Sequence, residues 1–537
     1  MPSKKRKKSM CDLTTAVKVS TAQKDQSSAL ILDGHHLTIK DFFSVVFEKR
    51  RVEIKEEVTQ RIRESRQLIY ELASRDVPIY GFNRGVGWNK DKVIGPASFE
   101  QYNRNLLLSH SAGVKPMAEE VEIRAVMLAR LNSLLLGCTG VQPEIVLRYV
   151  DFLNLGIHPV LPLKGSVGAA DISTISHIGL AMIGEGEVEV NGVRLPAANA
   201  LQNEGLAPLK LGPKDGLAIV SSNALSAGTG AIALLDFKRV IELADMVYAL
   251  SLEAIRGNIS PLDEAVHRVR PFPGQLGSLK NIRKILEGSD LWTSYNKESL
   301  QDPLSFRDAC QIHGAARDAY HYCKEQLELH INSSDDNPCV LVEEKRIVSC
   351  ANFDPLSWVL GFEMAGNALH HISKSSCYRT IKLGNPSFTG LSRFLTPNAQ
   401  ESIGFCTLQK TITALDAEIR HLSNPASADY YSLAGDIEDH GTNAPFVVSK
   451  TRDILDKLFA ILGIEAIHAA QAIDLRGSIQ LGKGTKAAYQ AIRSVVPFYS
   501  EDRNLTVDIE KIYTLFKNGK FLEKLKRNNG SEANGTS

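Results

Sequence analysis

Net charge is almost missing from this chain. Its 537 residues carry 62 Lys and Arg against 61 Asp and Glu, a formal net charge of +1. Such a balance argues against a protein built to coat nucleic acid or anionic lipid, and neither is expected as a partner. Aromatic residues make up only 7%, which disfavours a stacking platform for single strands. Cysteine is sparse as well. The eight residues Cys11, Cys138, Cys310, Cys323, Cys339, Cys350, Cys377 and Cys406 are scattered and form no Cys-x-x-Cys pair. That pattern predicts free thiols in a reducing compartment, mostly as core residues. Met1 to Leu30 lacks the apolar core of a signal peptide. No apolar run approaches the roughly 20 residues that span a bilayer, so a cytoplasmic protein is expected. With 43% hydrophobic and 23% charged residues, most of the chain reads as an ordinary soluble globular protein. Length alone suggests about three or four domains.

What is present is mostly helical in period. About Ile39 to Ala73 reads as one amphipathic helical region, because Ile54, Val58, Ile62, Ser65, Ile69 and Leu72 step at three or four residues. Long helical patterns cover Asn223 to Arg256 and the stretch from just after Pro445 to near Gly477; others cover about Glu120 to Leu136, Asp308 to Leu329, Pro355 to Ile372 and Gln400 to Leu422. Helices of this length pack as a bundle. Strand signals are few. Glu187 to Leu195 reads as a hairpin, because Asn191-Gly192 supplies the two positive φ values of a type I′ turn. Val340 to Val348 reads as a second, turning at Glu343 to Lys345. The expected organisation is a disordered basic tail over 1–30, an N-terminal region over 31–215, a long-helix bundle over 216–480, a helical segment over 481–524 and a loose tail over 525–537. Lys4-Lys5-Arg6-Lys7-Lys8 reads either as a solvated tail or as a nuclear signal.

Several chemical motifs fail on inspection. Gly477 to Gly484 nearly spells a P-loop, but Gly484 stands where a hydroxyl should ligate Mg²⁺, and the stretch follows a helix rather than a strand. Cys310, His313, His321 and Cys323 fall in one helical pattern, where they do not converge on one ion, so no metal is expected. The stretch Gly165-Ser166-Val167-Gly168-Ala169-Ala170-Asp171 leads into an apolar helix. It reads either as a close-approach backbone loop at a helix N-terminus or as a tight cap with Asp171 near the N-cap.

That loop and its surroundings resemble the aromatic amino-acid ammonia-lyase family, histidine ammonia-lyases above all. The resemblance runs from about Leu32 to Arg476. It rests on motifs in order: Tyr80 to Gly87, Asn105 to Gly113, Gly156 to Pro159, Gly165 to Gly168, Gly184 to Glu187, Leu211 to Ala218, Ser251 to Gly257, Gln301-Asp302-Pro303, His313 to Ala319, Ile331 to Ser333 with Asp336 to Pro338, and Glu438-Asp439-His440. The implied fold is mainly α, of the L-aspartase/fumarase type, with a long central bundle and few hairpins. The implied assembly is a homotetramer whose active sites each draw on three subunits. The implied reaction is loss of ammonia from an α-amino acid, with a methylideneimidazolone electrophile made from the backbone. By the same resemblance Tyr80 is the base and Glu438 lies near the substrate amine. His110 is placed where side-chain selectivity is set. Gln301 and Phe353 line the pocket, and Arg307 grips the substrate carboxylate.

Four departures stand against the family's usual chemistry. The Ala-Ser-Gly triad that cyclises into the electrophile is replaced by Ala169-Ala170-Asp171, one residue short. The family Asn that hydrogen-bonds the electrophile aligns with Ser221, with Asn223 close by. A second pocket Tyr is Leu304, and the pocket Gln before Glu438 is Ile437. No cofactor is therefore expected, since the Ser and Gly precursors are absent. Three readings follow: an active ammonia-lyase or aminomutase, an electrophile-free lyase with Tyr80 as base acting on a better leaving group, and a non-catalytic amino-acid-binding or structural homologue. Amino-acid metabolism by a carbon–nitrogen lyase is the favoured class.

Overall fold

The computed structural model describes residues 28–522, apart from 76, 294–299, 399, 478 and 520. The basic run Lys4 to Lys8 and the tail over 525–537 lie outside the described residues.

Small and apolar side chains along Asn223 to Arg256 yield one unbroken helix, Ala224–Ala254. Its 31 residues span about 45 Å at the usual rise per residue. Ala444–Arg476 packs along it, and Leu356–Leu383 and Ala309–Ile331 extend the layer. Glu120–Leu134 crosses the axial helix on another side. That crossing depends on Gly228. A Cβ there would stand 2.7 Å from the backbone carbon of Ala125. Two stretches, Asp215–Ala254 and Ala444–Arg476, are by length and composition apolar enough to cross a membrane, contrary to the reading by runs; 94% and 83% of their apolar windows are buried among the other helices.

Charges inside the bundle come in pairs. Arg379 and Glu465 are both fully buried and meet at 2.6 Å, and Ser251 donates to the same carboxylate at 2.8 Å. Three of the long helices are thereby tied at one point. His313, one of the residues with metal-like spacing, is paired with Asp245 at 2.8 Å instead. No group of three or more His, Cys, Asp or Glu side chains converges among the described residues.

Two helical expectations are corrected, and the smaller is that the pattern from about Gln400 becomes helix only at Cys406. The region from Ile39 to Ala73 is two helices, Ile39–Val46 and Glu56–Ala73, separated by a left-handed Lys49 and the strand Val52–Ile54. That strand pairs in parallel with Leu30–Leu32. Val52 is buried while Glu53 is exposed, the alternation of a strand rather than a helix face. The first hairpin forms as read, Glu187–Val190 against Val193–Pro196, with positive φ at both Asn191 and Gly192. The second pairs Cys339–Leu341 with Arg346–Val348. It feeds the segment Ser349 to Asp354 into the site.

Candidate active site

A cavity of about 620 Å³ opens where four loops meet. Tyr80, Gly87, Trp88, His110, Ala169, Ala170, Ser221, Phe353 and Glu438 all line it. Residues scattered over more than 350 positions of sequence thus reach one space.

Tyr80 is placed by its own turn. Buried Ile79 anchors the entry. Asn83 clamps it, accepting from Ile79 N at 2.7 Å and donating to Val77 O at 2.9 Å. Gly81 is left-handed, and a Cβ there would lie 2.2 Å from Leu217, so the tight reversal requires glycine. The chain then returns so that Gly87 N donates to Tyr80 Oη at 2.6 Å. Burial is the largest influence on this phenol and pushes its pKa up. The Gly87 N–H opposes that rise, and the negative charge of Glu438 adds to it. A cation bound beside Glu438 and Tyr80 would favour the phenolate.

His110 closes the helix Phe99–His110. Its Nδ1 lies 2.8 Å from Leu106 O. A carbonyl only accepts, so Nδ1 carries the proton, which leaves Nε2 as an acceptor. Glu438 follows a turn in which Ala434, Gly435 and Asp436 are all left-handed. A Cβ on Gly435 would lie 2.7 Å from the Trp88 indole, so the Tyr80 turn and the Glu438 turn pack face to face. His440 Nε2 meets Asp354 Oδ2 at 3.0 Å, joining the Glu438 turn to the Phe353 segment.

The loop Gly165 to Asp171 does not fit the family's electrophile. Ser166 Oγ donates to Asp171 Oδ1 at 2.7 Å, and Ser173 Oγ donates to Gly165 O at 2.7 Å. Neither serine is followed by the glycine whose nitrogen would close the ring. Asp171 holds the loop instead. Its backbone N donates to Ser222 O at 2.6 Å, and its Oδ2 accepts from Ser226 N and Ser226 Oγ, each at 2.9 Å. Asp171 does stand at the N-cap of its own helix Ile172–Met182, one of the two readings of the sequence, but its carboxylate makes no bond there and caps the first turn of the axial helix instead. Burial raises its pKa to about 6 despite these donors. Ala170 is buried with φ +59°, a strained conformation for a residue with a Cβ.

Other sequence-predicted residues divide. Ser221 lines the cavity, but Asn223 does not. Asn223 is fully buried, and its amide donates to Phe353 O, so it fixes the Phe353 wall rather than facing the cavity. Gln301, Leu304 and Arg307 are not among the lining residues of a single chain. Leu304–Arg307 is a short helix, where Arg307 Nε donates to Asp302 O at 2.8 Å. Leu304 is 57% exposed. Sequence reading missed the cavity-lining Trp88, Asp354 and His440. Trp88 stands one residue past the Tyr80 motif, and His440 inside the Glu438 motif, so position alone could have flagged both.

A family model for aromatic amino acid lyases matches residues 37–494. The chain belongs to that family. Its fold agrees closely with the ergothioneine-degrading enzyme ergothionase from Treponema denticola, at 48% identity and a TM-score of 0.90, covering 92% of this chain and 99% of that one. Tyrosine aminomutase from Streptomyces globisporus follows at 30% identity and a TM-score of 0.88, covering 94% and 99%. The histidine ammonia-lyase of Myxococcus xanthus is 37% identical over 92% of this chain and 97% of its own length. Relatives named histidine ammonia-lyase are in line with the enzymatic reading of the motifs. The mainly α fold with a long central bundle is the one the motifs implied.

Proposed function

We propose that this chain eliminates a tertiary amine from the quaternary, betaine form of a histidine-type amino acid, of the ergothioneine class. The observation that carries the reading is the loop Ala169-Ala170-Asp171, held by Asp171 and lacking the electrophile's precursors, in the same cavity as Tyr80 and Glu438. A free α-amine has a lone pair with which to add to an electrophile, and it needs that activation to leave. A quaternary nitrogen has no lone pair to add, and it departs as a neutral amine without help. Loss of the electrophile and a quaternary substrate are therefore chemically matched.

The step balances on this chain's residues. Tyr80 as phenolate takes the β-proton, the C–H electron pair becomes the Cα=Cβ bond, and the Cα–N bond breaks with its pair going to trimethylamine. Glu438 and the aromatic faces of Trp88, Tyr80 and Phe353 suit the cation, a contact worth about 2 kcal/mol when desolvated. The Nε2 acceptor of His110 suits an azole N–H. The 48% identical ergothionase supports the same class. Arg307, Gln301 and Leu304 would complete the pocket from neighbouring copies in a homotetramer, with Arg307 on the carboxylate.

Incubation of the purified chain with ergothioneine and, separately, with histidine tests this. Trimethylamine by NMR and a conjugated product by absorbance are expected from the betaine, with no urocanate from histidine. Urocanate from histidine, together with an intact mass two waters below that of the sequence, would overturn it.

A further inference from the structure

Tyr102 stands on the rigid helix Phe99–His110, facing the Tyr80 turn. Its hydroxyl accepts from Val86 N at 3.2 Å. The next backbone N–H, that of Gly87, donates to Tyr80 Oη at 2.6 Å. Two consecutive amides of one turn are thus each held by a phenol. Both phenols are half-buried, and burial raises the pKa of both. Their charges also oppose one another, since an ionised Tyr102 would raise Tyr80 further. Tyr80 lines the cavity, whereas Tyr102 does not.

We propose that Tyr102 is a positioning residue for proton abstraction: by holding Val86 N–H it fixes the turn that delivers the Gly87 N–H to the Tyr80 oxygen. The turn carries three glycines, Gly81, Gly85 and Gly87, and has little stiffness of its own. Gly87 is left-handed at φ +55°, so a small rotation there redirects its N–H. The same helix carries Tyr102 in its first turn and His110 as its last residue, so this one element sets both the base turn and the azole acceptor. The proposal rests on Tyr80 being the base.

Tyr102→Phe keeps the ring and removes the acceptor. The first readout is the titration of Tyr80, followed as tyrosinate absorbance and isolated by subtracting the matching Tyr80→Phe chain. It needs no substrate. The midpoint should rise by about one pH unit in Tyr102→Phe, a tenfold smaller phenolate fraction below it. On whichever substrate the wild type eliminates, the acidic limb of kcat/KM should move the same way. An unchanged midpoint, with activity lowered equally at every pH, would reduce Tyr102 to a packing role and overturn the proposal. Should the variant not fold, amide exchange in the wild type decides: a Val86 N–H as protected as that of Gly87 supports the proposal, and one exchanging like a free amide overturns it. A wild type inert on ergothioneine but with the Tyr80 midpoint shifted by Tyr102→Phe would sink the substrate reading and leave this inference standing.

Discussion

Tyr80 presents a conflict at the scale of one residue. A general base must lose its proton, yet burial and Glu438 hold that proton on. The Gly87 N–H counters only part of the effect. A cationic substrate of the proposed class would supply the rest by neutralising Glu438 and attracting the phenolate, so the proposed base would be armed by binding. The pH dependence follows with its sign. Below the Tyr80 pKa the phenolate fraction rises about tenfold per pH unit, so kcat/KM should climb with pH and level off only in the alkaline range. The limb of kcat, which reports the complex, should lie at lower pH than that of kcat/KM, which reports the free enzyme. Coincident limbs in the two profiles would show that the substrate's charge does not reach Tyr80. Tyr80→Phe should lower kcat/KM by about 10² to 10⁴ with intact folding by circular dichroism. Ala170 offers a second test. Its left-handed backbone costs about 1 kcal/mol in an L-residue, so Ala170→Gly should raise the unfolding midpoint in denaturant. An unchanged or lowered midpoint would mean that the lost methyl contacts of this buried residue outweigh the strain.

Among the elements, local signals were legible where one stretch decides its own structure. Asn191-Gly192 dictated its turn, and the two long helices ran within a residue or two of their patterns. The break between Val46 and Glu56 was not legible, because the strand Val52–Ile54 exists through its partner Leu30–Leu32, distant in sequence. Asp171 shows the same limit. A short polar residue before an apolar helix reads as that helix's cap, but its carboxylate went to Ser226, fifty-five positions on. Tyr102 carries no local signal at all, since its importance lies in a turn on another element. Close helix crossings give a test at this scale. Gly228 lets Glu120–Leu134 approach the axial helix, and a Cβ would meet backbone that cannot swing aside. Gly228→Val should therefore cost at least the ~1–3 kcal/mol of an overpacked core, read by chemical denaturation. Wild-type stability in this variant would show that the crossing is looser than the distances imply.

For the molecule as a whole, the cavity of one chain does not gather every residue that the motifs pointed to. Tyr80, His110, Phe353 and Glu438 share a cavity, but the group matched to the substrate carboxylate, Arg307, sits elsewhere on the chain. The motifs named both groups of residues, and the only signal that they stand apart in one chain was the resemblance, which implied sites shared between subunits. The apolar residues on either side of Gln301-Asp302-Pro303, Leu300 and Leu304, are 92% and 57% exposed in the single chain. If assembly unites the halves, two inactive variants should repair each other. Tyr80→Phe spoils the base of its own cavity, and Arg307→Ala spoils the carboxylate clamp that its chain lends to a neighbour. In mixed oligomers formed by co-expression, about a quarter of the sites would receive an intact Tyr80 from one copy and an intact Arg307 from another. Activity should reappear at roughly that fraction of the wild-type level, while either variant alone stays low. Co-expressed chains that co-purify yet stay inactive would place Tyr80 and Arg307 of a site on the same copy, and Arg307 would then have to reach the cavity by a rearrangement within one chain.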